Sequence, residues 1–296
     1  MGEKGIVILS PERCANDISI LLNAYKGPDR FPVDVIDIAQ RYSAQRFPDD
    51  PISLVRGDNL PNFDGALYRA SDSKKGWGII YNNRITSIGR INFTLAHEFG
   101  HYLLHRVTYP DGLYCSPEKV AEWDSEYGQI ENQANVFAAG LLMPLDDFRR
   151  QIPSGNEADL DMLSACADRY KVSLLAACLR WLQYTERRAV LVVSRDGFIL
   201  WSKSSRRALR TGAFFRTKGP PVEIPANSLA ARPSLVSDTR TGLSLPANTW
   251  FREPVREMAI HSEQYDFAIS LLFLEDRHGY IEPEPEIEDT FDRFSR

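Results

Sequence analysis

The chain has 296 residues, 43% of them hydrophobic, which is enough to fill a substantial core and to divide into more than one domain. A net charge of -5 and a pI near 5.6 exclude a broadly basic surface of the kind that holds nucleic acid or anionic lipid without sequence preference. The longest apolar runs, "AVLVV" and "AISLLFL", fall short of the roughly 18 residues of a membrane span; the first residues lack a secretory layout, and Cys14, Cys115, Cys166 and Cys178 form no C-x-x-C pair, so the expected compartment is the cytoplasm.

In chain order, Ser10 and Pro11 read as the cap and first position of a helix, "SPERCANDISILLNAY", with Ile18, Leu21, Leu22 and Tyr25 at helical intervals. A second helix follows in "PVDVIDIAQRY". Residues 46–63 are rich in Pro, Asp and Asn and read as loop. "GALYRAS" and "WGIIYN" read as two strands joined by the polar "DSKKG". Helical patterns then cover "FTLAHEFGHYLLH" and the stretch from Pro117 to Met143, where Pro144 stops the helix. Helices over residues 159–170 and 173–184 meet at "YKVS", with Ser173 as the second cap. After residue 188 the texture turns to β: "AVLVVSRDGFILW" predicts a hairpin turning at Asp196-Gly197, "RTKGPPVEIP" a loop, and "DFAISLLFLED" a buried strand. The closing "EPEPEIEDTFDRFSR" is acidic and broken by proline, which predicts disorder over residues 282–296.

"FTLAHEFGHYLLH", residues 93–105, holds three of the chain's five histidines. At roughly 100° per residue, and with His97 at zero, His101 falls near 40°, His105 near 80° and Glu98 near 100°. Leu95, Phe99, Tyr102 and Leu103 occupy the opposite arc, so one face anchors in a core while the other carries the polar groups. Two imidazoles one turn apart can share a zinc ion, with the intervening glutamate beside it to take a proton from water; a catalytic site adds a third protein ligand and keeps one position for that water. His105 lies a further turn along the rise, too far to share the same ion, which predicts a supporting role.

The third ligand has to come from elsewhere, and Asp111, Glu118, Glu122, Asp124, Glu126 and Glu131 are the acids that follow. In "IENQANVFAAGLLMP", Ile130, Ala134, Phe137 and Leu141 make one apolar stripe, and Glu131, Asn135, Ala138 and Leu142 make the stripe beside it. A carboxylate turned into an apolar arc needs a partner, which a metal ion would supply. Asn135, one turn on, can bond the far nitrogen of a ligand histidine and fix its tautomer. The other acids mostly crowd into "EKVAEWDSEYGQ", a segment whose charge density fits a solvated face.

"NFTLA" before "HEFGH", "YLLH" after it and "ENQANVFAAGLLMP" further on resemble the ImmA/IrrE family of zinc metallo-endopeptidases, with "FDGALY" and "IIYN" standing where that family has strands near its active site; the resemblance covers about residues 60–146. It implies an α+β, zincin-like and specifically gluzincin-like domain in which His97, His101 and Glu131 hold zinc and Glu98 is the catalytic base, with Asn135 and His105 supporting the ligands. It also implies a cytoplasmic protease acting on a protein, a helix-turn-helix transcriptional repressor in a stress-response or mobile-element circuit. The alternative is a zinc-containing regulator or antitoxin-like protein that binds such a partner without cutting it. The expected division is a metallopeptidase domain over residues 1–150, a helix-turn-helix-like pair over 151–188, a mixed α/β domain of sensor-like or substrate-docking kind over 189–281, and the acidic tail over 282–296.

Some features stay open at this level. Tyr68, Tyr81 and Tyr102 are each conceivable donors to an oxyanion, and an extended substrate could pair along a "WGIIYN" edge. "LSACADRYKVSLLAACLRWLQ" has a helix-turn-helix pattern, but Arg180 is its sole basic residue from Ser173 to Gln183, so direct nucleic-acid binding is not expected. "KSSRRALR", residues 203–210, is the one basic cluster and reads as a solvated face.

Overall fold

The computed structural model describes residues 10–70, 75–114, 126–217, 219–234, 240–262 and 266–276. Most of the expected "DSKKG" turn, the start of the helical pattern at Pro117, Glu118, Glu122, Asp124, Cys115 and the acidic tail lie outside the described residues. The chain is an α+β protein with eight α-helices and two small sheets among those residues. It divides into two compact units, one of Met1–Leu145 with Asp168–Ser173, the other of Asp146–Ala167 with Leu174–Ser295.

The first unit opens with α1 (Pro11–Lys26), whose first turn is closed by Ser10 Oγ accepting from the Arg13 amide, and α2 (Val35–Arg46), capped in the same way by Asp34. On α1 the buried stripe is Cys14, Ala15, Ile18, Ser19 and Leu22, whereas Leu21 and Tyr25 are exposed. The buried face therefore sits about 40° from its predicted place, because small residues at 14, 15 and 19 complete the buried stripe.

A four-stranded sheet follows: β1 (Ile52–Asp58), β2 (Gly65–Arg69), β3 (Trp77–Asn82) and, after α3 (Ile88–His105), β4 (Gly112–Tyr114), in the order β1-β3-β2-β4. β2 and β3 pair antiparallel as predicted, with Leu67 opposite Ile79. The span read as loop contains β1. Only Ile52 of that strand is buried, and its parallel ladder with β3 defines it, so no apolar alternation announces it. β1 also displaces "WGIIYN" from the edge it was expected to form: β3 is interior, and β1 and β4 are the outer strands. Trp77, Leu67 and Ile79 are buried, and the Trp77 ring meets Tyr102 of α3 edge-on at 6.3 Å. α4 (Glu126–Leu142) buries Ile130, Ala134, Phe137 and Leu141, as its spacing predicts, and packs against both α3 and α1.

The second unit comprises α5 (Leu145–Gln151) from Asp146 on, most of α6 (Leu160–Tyr170), α7 (Leu174–Leu182) and a five-stranded antiparallel sheet. Its strands are β5 (Ala189–Arg195) and β6 (Phe198–Ser204), then, after the short α8 (Arg206–Arg210), β7 (Leu243–Leu245), β8 (Val255–Ser262) and β9 (Phe267–Leu274), in the order β6-β5-β9-β8-β7. The hairpin turns at Asp196 and Gly197, both at positive φ, 52° and 82°, the geometry an Asp-Gly pair favours. Trp181 on α7 is fully buried with its ring 5.7 Å from Phe273, so α7 spends its apolar face on packing. The basic cluster forms the end of β6 and α8, where Arg206, Arg207 and Arg210 are exposed.

Candidate metal centre

Two glycines decide how closely the site's walls approach α3. A Cβ on Gly100 would lie 2.9 Å from Phe137 Cδ1 and 3.3 Å from Ala134 Cα, so this glycine lets α3 and α4 pack nearly backbone to side chain and brings Glu131 opposite the histidines. A Cβ on Gly65 would lie 2.5 Å from Thr94 Cγ2 and 3.0 Å from Glu98 Oε1, so the start of β2 presses directly on Glu98. Asp64, just before Gly65, accepts two hydrogen bonds from Arg90, at 2.6 and 2.8 Å, which ties that end of β2 to the first turn of α3.

His97 Nε2, His101 Nε2 and the Glu131 carboxylate converge. The two nitrogens are 2.9 Å apart, His97 Nε2 is 3.1 Å from Glu131 Oε2, and His101 Nε2 is 3.3 Å from Glu131 Oε1. All three residues are buried. Ligand atoms held about 2.0–2.2 Å from a tetrahedral ion stand about 3.3–3.6 Å from one another, so a shift of a few tenths of an ångström fits these atoms around one ion. The donor chemistry agrees. His97 Nδ1 is 3.0 Å from Asn135 Oδ1, and since a carboxamide oxygen can only accept, Nδ1 carries a proton, so that in the neutral ring Nε2 faces Glu131 with a lone pair. An imidazole lone pair beside a carboxylate calls for a cation between them.

The electrostatics agree for Glu131 and His101 and differ for His97. Burial works against the charge on Glu131, but the His101 and His97 rings against it outweigh burial and hold the carboxyl well below the usual carboxylate range. Burial likewise opposes charging His97, yet the hydrogen bond and charge of Glu131 raise its pKa. His101 is pushed down to about 4 by burial and by neighbouring His97. The pocket thus favours a negative carboxylate and a neutral His101, both in the protonation state that ligates a metal, while Glu131 draws His97 toward its charged form, whose Nε2 proton a bound cation would replace. This buried His/His/Glu group could hold a metal ion.

Glu98 is buried on the same helix, its Oε1 beside Gly65. His105 is also buried, and its Nδ1 lies 3.0 Å from His101 Nδ1, on the side away from Glu131. The three tyrosines separate. Tyr102 is in the core with its hydroxyl donating to the Asp50 carbonyl at 2.7 Å. Tyr68 folds its ring over Gly78, on the sheet face opposite that of Gly65 and Leu67. Tyr81 is cross-strand from Gly65 and so shares the face that meets Glu98. Asp111 is exposed and is not part of the cluster. Gly65 and Gln133, the latter 2.9 Å from His105, lie within "FDGALY" and "ENQANVFAAGLLMP", but their roles do not show there: a glycine at the start of a strand and a glutamine on a helix look ordinary until the packing is known.

A helix bearing His-Glu-x-x-His, packed on a small mixed sheet and facing a glutamate from the next helix, defines a zincin-like domain. Residues 52–182 match the family model of the IrrE N-terminal-like domain, Peptidase_M78. The fold is similar to a solved chain described as a Mycobacterium tuberculosis transcriptional regulator, with a TM-score of 0.51 and 16% identity over 89% of this chain and 76% of that one. No curated protein matches the chain. No helix among the described residues is long and apolar enough to cross a membrane.

Proposed function

We propose that the chain is a zinc-dependent endopeptidase of the cytoplasm that cuts a protein substrate, a helix-turn-helix transcriptional repressor in a stress-response or mobile-element circuit. The observation that carries the reading is the convergence of His97 Nε2, His101 Nε2 and Glu131 at tetrahedral ligand spacing, with Glu98 next to His97 on the same helix. Two imidazoles and one carboxylate suit zinc, and three protein ligands leave a position for substrate or water. When bound, such an ion polarises a carbonyl and acidifies water. Glu98 would take the proton of the attacking water and hand it to the leaving amine. Its burial, with β2 closing over it at Gly65, keeps bulk solvent from competing for that proton. Tyr81, on the sheet face that meets Glu98, would be the donor to the developing oxyanion. A substrate strand would pair with β1 or β4, the outer strands.

The test is proteolysis of candidate repressors by purified protein. Glu98→Gln should keep its zinc and lose about 10²–10⁴-fold in cleavage rate. Undiminished cleavage by that variant would sink the assignment.

A second reading is a regulator that binds its partner without cutting. It is favoured by the fold likeness to a chain described as a transcriptional regulator. Under it, wild type and Glu98→Gln bind the repressor equally and neither degrades it.

A further inference from the structure

The acceptor that fixes His97, Asn135, bonds it directly; the support behind His101 is longer. His101 Nδ1 lies 3.0 Å from His105 Nδ1, and His105 Nε2 lies 2.9 Å from Gln133 Oε1. A neutral imidazole carries one N–H and one lone pair, and a carboxamide oxygen can only accept. The proton of His105 is therefore on Nε2, donated to Gln133, which leaves His105 Nδ1 as an acceptor. His101 must then donate from Nδ1, and its Nε2 is left with a lone pair aimed at His97 Nε2 and Glu131.

We propose that Gln133 is a positioning residue for His101, acting through His105 to set the His101 tautomer so that Nε2 is free to ligate. The proposal rests on the reading of His101 as a metal ligand. His105 is buried and Gln133 half-buried, so water competes little along the chain of bonds. Within the relay, reversing one histidine alone would set two lone pairs or two N–H groups against each other; the lone pairs left on His97 Nε2 and His101 Nε2, 2.9 Å apart, are those a cation would separate. α4 thereby contributes three times to the centre: Glu131 to the cluster, Asn135 behind His97, and Gln133 behind His101.

The experiment uses the full chain, labelled with ¹⁵N at its five histidines, as wild type, Gln133→Leu and Gln133→Glu. Histidine nitrogen shifts are read without metal, and zinc affinity by competition with a chromophoric chelator. Leucine cannot accept a hydrogen bond, whereas a carboxylate can only accept, so the glutamate variant preserves the polarity of the relay. Wild type and Gln133→Glu should show the His101 proton on Nδ1, and Gln133→Leu should show it redistributed between the two nitrogens. Zinc affinity should fall about 10–100-fold in Gln133→Leu and stay within a few-fold of wild type in Gln133→Glu. An unchanged His101 tautomer in Gln133→Leu overturns the relay whatever zinc does, as does a glutamate variant that resembles the leucine one. A wild type that binds no zinc would instead remove the reading of the site as a metal centre, while the nitrogen shifts still decide the relay.

Discussion

Glu131 in the first unit and Glu257 in the second are both buried carboxylates, and they do opposite things. Glu257 is met by donors alone: the Leu229 and Ala230 amides at 2.9 and 3.2 Å, Trp250 Nε1 at 2.9 Å and Ser270 Oγ at 2.7 Å. Its charge is spent on pinning the segment at 229–230 and the Trp250 indole to β8 and β9, and nothing is left over for a ligand. Glu131 faces His97 and His101 nitrogens whose rings turn their other nitrogen to Asn135 and His105, which under the relay proposed above directs the protons away from Glu131. Burial of a charge therefore does not mark a site; the direction of the protons around it does. Four donors make a structural anchor, and converging acceptors make a place for a cation.

Exchanging the roles is the strongest way to break that comparison. Glu257→Ala leaves four buried donors without an acceptor and should cost about 3–5 kcal/mol in urea unfolding, while the protein that remains folded still binds one zinc. Glu131→Ala should lose more than about 100-fold in zinc affinity, beyond the effect of a supporting residue, and remain folded. If Glu257→Ala proves as stable as wild type, or Glu131→Ala keeps its metal after dialysis against a chelator, the distinction drawn from proton direction fails.

A smaller effect separates direction from mere polarity. Asn135→Leu should lower zinc affinity about 10–100-fold because His97 Nδ1–H loses its acceptor, and Asn135→Asp, which accepts at the same place, should restore most of it. Chelator competition reads both. Equal weakening in the two variants would mean that Asn135 serves packing and not the tautomer.

How much of this was open to inspection in the sequence depends on the range of the signal. His97, Glu98 and His101 share a helix, so local periodicity alone groups them, and Glu131 and Asn135 stand out because polar residues interrupt an apolar stripe. The hairpin at Asp196-Gly197 is legible for the same local reason. β1 is not, since an edge strand with one buried residue exists through pairing with a segment some 25 positions away. Nor is β8, whose "VREMAIHS" lacks a clean alternation although β9 and β7 flank it. Leu21 and Tyr25 misled because helical spacing fixes which residues share a face, but not which of two overlapping faces a neighbour covers. Gln133 and Gly65 act on residues 28 and 33 positions away and become visible only when α3, α4 and β2 are in place.

Gly65 supplies the mildest test, one aimed at Glu98 alone. Alanine at a compatible glycine usually stabilises slightly, but here the new Cβ would sit 2.5 Å from Thr94 Cγ2 and 3.0 Å from Glu98 Oε1. Overpacking of this kind costs about 1–3 kcal/mol and must move one of the two side chains. Since neither is among the three converging groups, Gly65→Ala should keep its zinc, with cleavage falling roughly tenfold as Glu98 is displaced from the proton it abstracts. Adding Thr94→Ser removes the methyl that makes the closest contact while leaving the pressure on Glu98. If the double variant regains full cleavage, the threonine was the group that moved, and the contact between Gly65 and Glu98 is packing without consequence for the proton transfer. If cleavage stays low while stability returns, the start of β2 is what holds the carboxylate in position.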